Sequence, residues 1–183
     1  MEKKIISFLK NILLVIELVF YVAYVHWEKI LFVAVIAFDQ FFKAKIVSQM
    51  VPGETIPVIE NFFHITYVLN PGAAFGILAN QRIFFLLVGI GLLILAAYFY
   101  PKLKNSEKIL RFGSIFLVSG ATANLIDRAG TGQVVDFIDF RVWPVFNLAD
   151  VAIICGMFLM IYSIIFKVED SKKNPFESSQ EIF

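Results

Sequence analysis

Apolar residues in this chain come in long runs, without the 3.6- or 2-residue alternation that marks a one-sided helix or strand. Four runs stand out, at residues 30–47, 83–100, 109–126 and 146–166. Each is apolar all round and close to the ~20 residues a helix needs to cross a hydrocarbon layer about 30 Å thick. The pattern therefore predicts an all-α membrane protein, a bundle of four transmembrane helices. A fifth apolar stretch, residues 5–25, is interrupted by Lys10, Asn11 and Glu17. It is expected as a helix lying in the cytoplasmic interface, with a spanning helix as the alternative. It lacks a small-residue cleavage site and does not read as a removable signal peptide.

Two connections are long enough to hold structure. Residues 48–82 carry Pro52-Gly53, Pro57 and Pro71-Gly72, which punctuate turns. Between them Phe62-Phe63-His64-Ile65-Thr66-Tyr67-Val68 is aromatic and β-branched, as strands are. A small β-rich extracytoplasmic loop domain, a sheet or strand pair on the outer face, is expected there; an irregular connector fits the composition equally. The second connection, residues 127–145, is short and carries Asp127, Arg128, Asp136, Asp139 and Arg141. From Glu169 onward the chain is polar and expected to be disordered. The organisation read from the pattern is thus an extension over 1–29, a bundle over 30–167 with outer loops 48–82 and 127–145, and a cytoplasmic tail over 168–183.

Composition sharpens the class. Hydrophobic residues make up 59% and charged residues 17%, against roughly 45–50% and about 25% in soluble domains. That excess has no place in a soluble core of this size. The net charge of +1 argues against a nucleic-acid partner, and the placement of charge says more than its sum. Lys3, Lys4, Lys10 and Lys29 precede the first run, Lys102, Lys104, Lys108 and Arg111 separate the second from the third, and Lys167, Lys172 and Lys173 follow the fourth. Basic residues favour the cytoplasmic side, so both termini face inward and the two long connections outward. The single cysteine, Cys155, forms no internal disulfide and is expected as a buried packing residue.

Charges within the runs demand a reason, because each costs about 2.5–3.5 kcal/mol at the centre of a spanning helix. Asp39 and Lys43 are four apart and share a helix face, which suits an ion pair anchoring the helix end. Asp136 lies in the second outer connection and Asp150 about one turn into the fourth helix. The intervening residues, with Trp143 and Pro144, can fold back and bring the carboxylates together. Two close carboxylates share one proton, and such a pair can activate water and polarise a carbonyl. A solvated loop acid beside a helix N-terminal acid would give the same spacing. Asn124, Arg128 and Asn147 flank these acids and suit either oxyanion stabilisation or capping. Asn70, opening a Pro-Gly segment, suits a turn. His-Glu-x-x-His, P-loop and dinucleotide fingerprints are absent, so no metal or cofactor is expected. His26 and His64 have no serine partner, and Lys43 with Ser48 has none of the surroundings of a Ser/Lys protease.

Five segments taken together resemble those of lipoprotein signal peptidases (signal peptidase II). Asp39-Gln40-Phe41-Phe42-Lys43 is similar to the family's D-Q-x-x-K, and Asn70-Pro71-Gly72-Ala73-Ala74-Phe75 to its N-x-G-A-A-F. Asn124-Leu125-Ile126-Asp127-Arg128 is similar to N-x-x-D-R and is followed by Val135-Asp136-Phe137. Phe146-Asn147-Leu148-Ala149-Asp150 is similar to F-N-x-A-D. The segments keep the family's order between residues 30 and 167.

The resemblance implies an aspartic endopeptidase of the bacterial inner membrane with Asp136 and Asp150 as the catalytic dyad. Asp39, Lys43, Asn70, Gly120, Asn124, Arg128 and Asn147 would support the site or bind substrate. The substrate implied is a prolipoprotein whose lipobox cysteine already carries diacylglyceryl, cut just before that cysteine. The enzyme would act as a monomer among membrane lipids, with its site toward the outer face. Ala123 stands where the family usually has glycine, and the extension before residue 25 is longer than the family's. Two other readings compete. One is a proton or ion conduit lined by Asp39, Lys43 and Asp150; the other is a lipoprotein-binding relative whose two aspartates lie too far apart to work.

Overall fold

The computed structural model describes residues 2–72, 78–103 and 107–173, with the backbone alone for residues 2–16, 18–25 and 167–173. Helix α1 (Glu2–Gln49) is followed by strands β1 (Thr55–Ile59) and β2 (Phe63–Asn70) and by helix α2 (Arg82–Phe99), which ends in a 3₁₀ turn (Tyr100–Lys102). Helix α3 (Lys108–Gly130), strand β3 (Val134–Asp139) and helix α4 (Leu148–Lys173) complete the chain. Ala73, Ala74 and Phe75 of the small-residue segment, Lys104, and the tail from residue 174 lie outside the described residues.

Among the described residues three helices are long and apolar enough to cross a membrane: Arg82–Lys102, Lys108–Gly130 and Leu148–Phe166. The stretch 30–47 of α1 differs from them in carrying Asp39, Lys43 and Lys45. α1 is continuous across residues 29 and 30, where the extension was expected to give way to the first span. α4 likewise stays helical to Lys173, past the expected start of the tail. Large apolar side chains cover the outside: Ile83, Leu87, Ile94 and Phe158 are each more than 60% exposed. The interior mixes apolar residues such as Ile115 and Phe137 with buried polar ones such as Asp39, Lys43, Asp136 and Asn147, so the outside is at least as apolar as the inside, as suits a lipid solvent.

Cys155 corrects one expectation. It is exposed on α4 between Ile154 and Met157, facing outward with them. The α3–α4 seam is lined by smaller residues instead. Ser119, Ala123, Ala149 and Ala152 are buried where α3 meets α4. A Cβ on Gly113 would come within 2.8 Å of the Gly156 carbonyl oxygen, and one on Gly120 would overlap that of Ala149. Small residues of this kind let two helix backbones approach closely in a membrane.

The expected strand-bearing segment forms part of a small three-stranded sheet that draws on both long connections. Its order is β1-β2-β3, antiparallel throughout. β3 falls in the short, charged 127–145 connection, where the sequence pattern predicts no strand. Met50, at the end of α1, packs with Tyr67 of β2 and Val135 of β3, with Ile46, Ile65 and Leu69 around them. This contact fixes β3 and β2 against the end of α1. Gly132, at φ +86°, makes the turn from α3 into β3; a side chain there would also press on Arg82, 3.3 Å away.

Candidate active site

α4 begins with a reciprocal cap. The Asn147 side-chain oxygen accepts from the Asp150 N–H at 2.9 Å, and Asp150 Oδ2 accepts from the Asn147 N–H at 3.2 Å. This is a capping box with aspartate in the third helical position, and it fixes the Asp150 rotamer. Asp136 sits on β3, fully buried, opposite Val68 of β2. The chain leaves β3, turns through Trp143 and Pro144, and returns so that Phe146 pairs with Ile138. That return places Asn147 beside Asp136.

Three asparagines tie the two carboxylates together. Asn147 Nδ2 donates to Asp136 Oδ1 at 2.7 Å and to Asn124 Oδ1 at 3.1 Å. Asn124 Nδ2 donates to Asp150 Oδ1 at 2.8 Å. Asn70 Nδ2 donates to Asp136 Oδ2 at 2.9 Å, while its own oxygen takes the Gly72 N–H at 2.9 Å. Each amide is thus oriented by a second bond, leaving little freedom to the carboxylates they hold.

Behind the asparagines lies a buried ion cluster. Lys43 Nζ reaches Asp39 and Asp127, each at 2.7 Å, and donates to Asn124 Oδ1 at 2.9 Å. Asp39 also accepts the Ala149 N–H at 2.8 Å, one of the free donors at the start of α4. The expected Asp39–Lys43 pair therefore forms, but as part of a larger assembly. Asp127 and Gln40, whose Nε2 donates to Asp127 Oδ1 at 2.8 Å, had no site role assigned from sequence. The available signal was Asp127 three residues after Asn124 on one face of α3.

Arg128 completes the site. Its guanidinium donates to the Gly72 carbonyl at 2.9 Å and rests 4.6 Å from the centre of the Phe85 ring. Gly120 contributes closeness rather than a functional group, since its missing side chain admits Ala149 of α4. All nine residues singled out from sequence thus lie in or against one cluster.

The cluster opens into a cavity of about 760 Å³. Asn70, Asn124, Arg128, Asp136 and Asp150 form its polar end; Val88, Leu92, Leu125 and Ile153 are among its apolar walls. Burial first, and the negative charge of Asp150 next, push the Asp136 carboxyl up to about 7; the Asn70 and Asn147 amides and Lys43 pull the other way. Among the described residues no group of three or more His, Cys, Asp or Glu could hold a metal ion. The site gathers two carboxylates, one of them raised well above its ordinary value, among amide donors with an apolar cleft in front.

Residues 31–166 match the family model for signal peptidase (SPase) II. The lipoprotein signal peptidase of Moorella thermoacetica is 45% identical over 143 residues, covering 77% of this chain and 94% of that protein. The one from Pelotomaculum thermopropionicum is 41% identical over 146 residues, covering 79% and 95%. A solved bacterial membrane enzyme superposes with a TM-score of 0.76 at 34% identity, covering 80% of this chain and 92% of that one.

Proposed function

Because the chain belongs to the signal peptidase II family, whose members are aspartic-type peptidases, we propose that Asp136 and Asp150 are its catalytic dyad. The protein is a multi-pass membrane hydrolase that removes the signal peptide from prolipoproteins. The observation that carries the dyad is the asparagine lattice, which holds both carboxylates at the polar end of one apolar cavity.

The chemistry follows from the environments. Asp136, buried on a strand with its carboxyl near 7, holds the shared proton. Asp150, bound by a backbone N–H and the Asn124 amide at a helix N-terminus, is the base. Asp150 takes a proton from water, whose oxygen attacks the scissile carbonyl carbon. Asp136 gives its proton to the carbonyl oxygen, so the tetrahedral intermediate carries no full negative charge. Asp150 then protonates the leaving nitrogen as the C–N bond breaks, and the gem-diol proton returns to Asp136. Asn70 and Arg128 line the same polar end of the cavity, where a substrate carbonyl can meet them.

The substrate reading is a diacylglyceryl-modified prolipoprotein cut just before its lipidated cysteine. A cavity with a polar end and apolar walls suits a peptide bond next to acyl chains. The arrangement in the membrane is read as four spans with α1 contributing the fourth, both termini cytoplasmic, and sheet and dyad at the outer face. Lys29, Lys102, Lys108 and Arg111 support this, since they lie toward the other ends of α1, α2 and α3 from the dyad. The enzyme is read as an inner-membrane monomer, with residues 1–29 an interfacial extension and membrane lipid its only standing partner. Purified wild type, Asp136→Asn and Asp150→Asn, incubated with a diacylglyceryl-modified prolipoprotein and read by gel shift, test the dyad. Only wild type is expected to cleave, with all three proteins folded and membrane-inserted. Wild-type turnover by either variant would remove the dyad assignment.

A further inference from the structure

The buried ion cluster has a symmetry that the dyad reading does not use. Asp39 accepts the N–H of Ala149, the residue immediately before Asp150. Asp127 Oδ2 accepts the N–H of Val135, the residue immediately before Asp136, at 3.4 Å. Lys43 joins the two carboxylates, with 2.7 Å to each. One chain of contacts therefore runs from the backbone beside one dyad aspartate to the backbone beside the other: Ala149 N–H, Asp39, Lys43, Asp127, Val135 N–H. It crosses three elements that are distant in sequence, α1, α3 and the β3–α4 region.

We propose that Asp39, Lys43 and Asp127 form a buried clamp that sets the separation of Asp136 and Asp150, with Asp127 a positioning residue of the reaction and Gln40 its brace. This deepens the dyad reading and rests on it. The geometry fits this role better than substrate binding. Asp39, Lys43 and Asp127 are absent from the walls of the cavity, and Asp39 and Lys43 are buried. It also exceeds what an anchor for the end of α1 requires, because each carboxylate is spent on a backbone N–H of another element. Gln40 fixes the free side of Asp127 through Oδ1 and is itself held by the Ala123 carbonyl at 3.2 Å. Interactions of this kind act as a unit. Once one link is cut, the opposite carboxylate has lost its reference, and cutting a second costs little more.

The test uses the full-length enzyme in detergent with Asp39→Asn, Asp127→Asn, the double variant, and Asp136→Asn as reference, measuring kcat and KM for a lipid-modified prolipoprotein. Each single variant is expected to lose roughly 10- to 100-fold in kcat, the scale of a small misplacement of reacting groups, with KM within about twofold. The double variant is expected to lose about as much as the worse single one. Losses that multiply, or a raised KM with kcat kept, would overturn the clamp. If an Asn variant does not fold, Gln40→Met is read in its place, since it frees the brace without stranding a buried charge. A several-fold fall in kcat at constant KM is then expected, and unchanged kinetics would refute the role. An active Asp136→Asn would instead overturn the dyad itself, which separates failure of the clamp from failure of the reading beneath it.

Discussion

At the scale of single residues, the raised Asp136 carboxyl has consequences for both activity and stability. Its folded value of about 7 stands above the ordinary 3.8. Between those limits the folded protein keeps a proton that the unfolded chain has released, so stability falls as pH rises through the window. Asp136→Asn imitates the protonated form and has no charge to bury. Its melting temperature is therefore expected to exceed that of wild type already near pH 5 and by more near pH 8.5, the excess growing between the two by an amount corresponding to roughly 1–3 kcal/mol. A difference of the opposite sign in thermal unfolding at the two pH values would show that Asp136 is ionised at little cost. For turnover, a dyad that must hold one proton loses activity on the alkaline side, so kcat/KM should decline above about pH 7. The sequence made the nine residues of the cluster legible as candidates because their types and order matched a known pattern; the structure brings them together. It left Asp127 and Gln40 without roles, since the meaning of Asp127 depends on Lys43 and Val135 meeting it from other elements, and that of Gln40 on reaching Asp127.

At the scale of elements, the positions of α2, α3 and α4 were readable because continuous apolar runs leave few alternatives to a spanning helix. β3 was not readable. Val134-Val135-Asp136-Phe137-Ile138-Asp139 is a good strand sequence, but its partner β2 lies more than sixty residues earlier and no local turn announces the pairing. The outward face of Cys155 was missed for a related reason: an all-round apolar helix does not reveal which side meets protein and which meets lipid. The α3–α4 seam is where this matters most. A methyl on Gly156 would overlap the Leu117 backbone nitrogen, whereas one on Gly120 would overlap the Ala149 carbonyl next to Asp150. Both Gly156→Ala and Gly120→Ala should lower the unfolding temperature, each by roughly 1–3 kcal/mol in stability. Below the unfolding range Gly156→Ala should keep most of its kcat, while Gly120→Ala should lose it, because only there does the displaced backbone carry a dyad residue. Equal kcat for the two variants would mean that the start of α4 is held independently of its packing on α3.

At the scale of the whole molecule, the length of α1 sets the question. Its 48 residues extend about 72 Å at 1.5 Å per residue, more than twice the ~30 Å hydrocarbon thickness. The part from residue 30 onward carries Asp39 and Lys43 and meets the sheet at Met50, so that end belongs with the dyad. The part before residue 25 is then left on the side of Lys29, Lys102 and Lys108. Either arrangement requires the continuous helix to break before residue 30: if the first part then lies against the cytoplasmic surface, the N-terminus stays inside with the basic residues; if it turns back and spans a second time, the N-terminus emerges beside the sheet. Single cysteines in a Cys155→Ser background distinguish these arrangements in intact cells. Val58→Cys on β1, exposed on the sheet edge, should react with a membrane-impermeant maleimide, and Lys102→Cys should react only after permeabilisation. Lys3→Cys should behave like Lys102→Cys. Labelling of Lys3→Cys in intact cells would make the extension a fifth span, with the peptidase bundle unchanged. Protection of Val58→Cys would reverse the molecule and put the dyad on the cytoplasmic side, where the positive-inside distribution of its lysines would have no explanation.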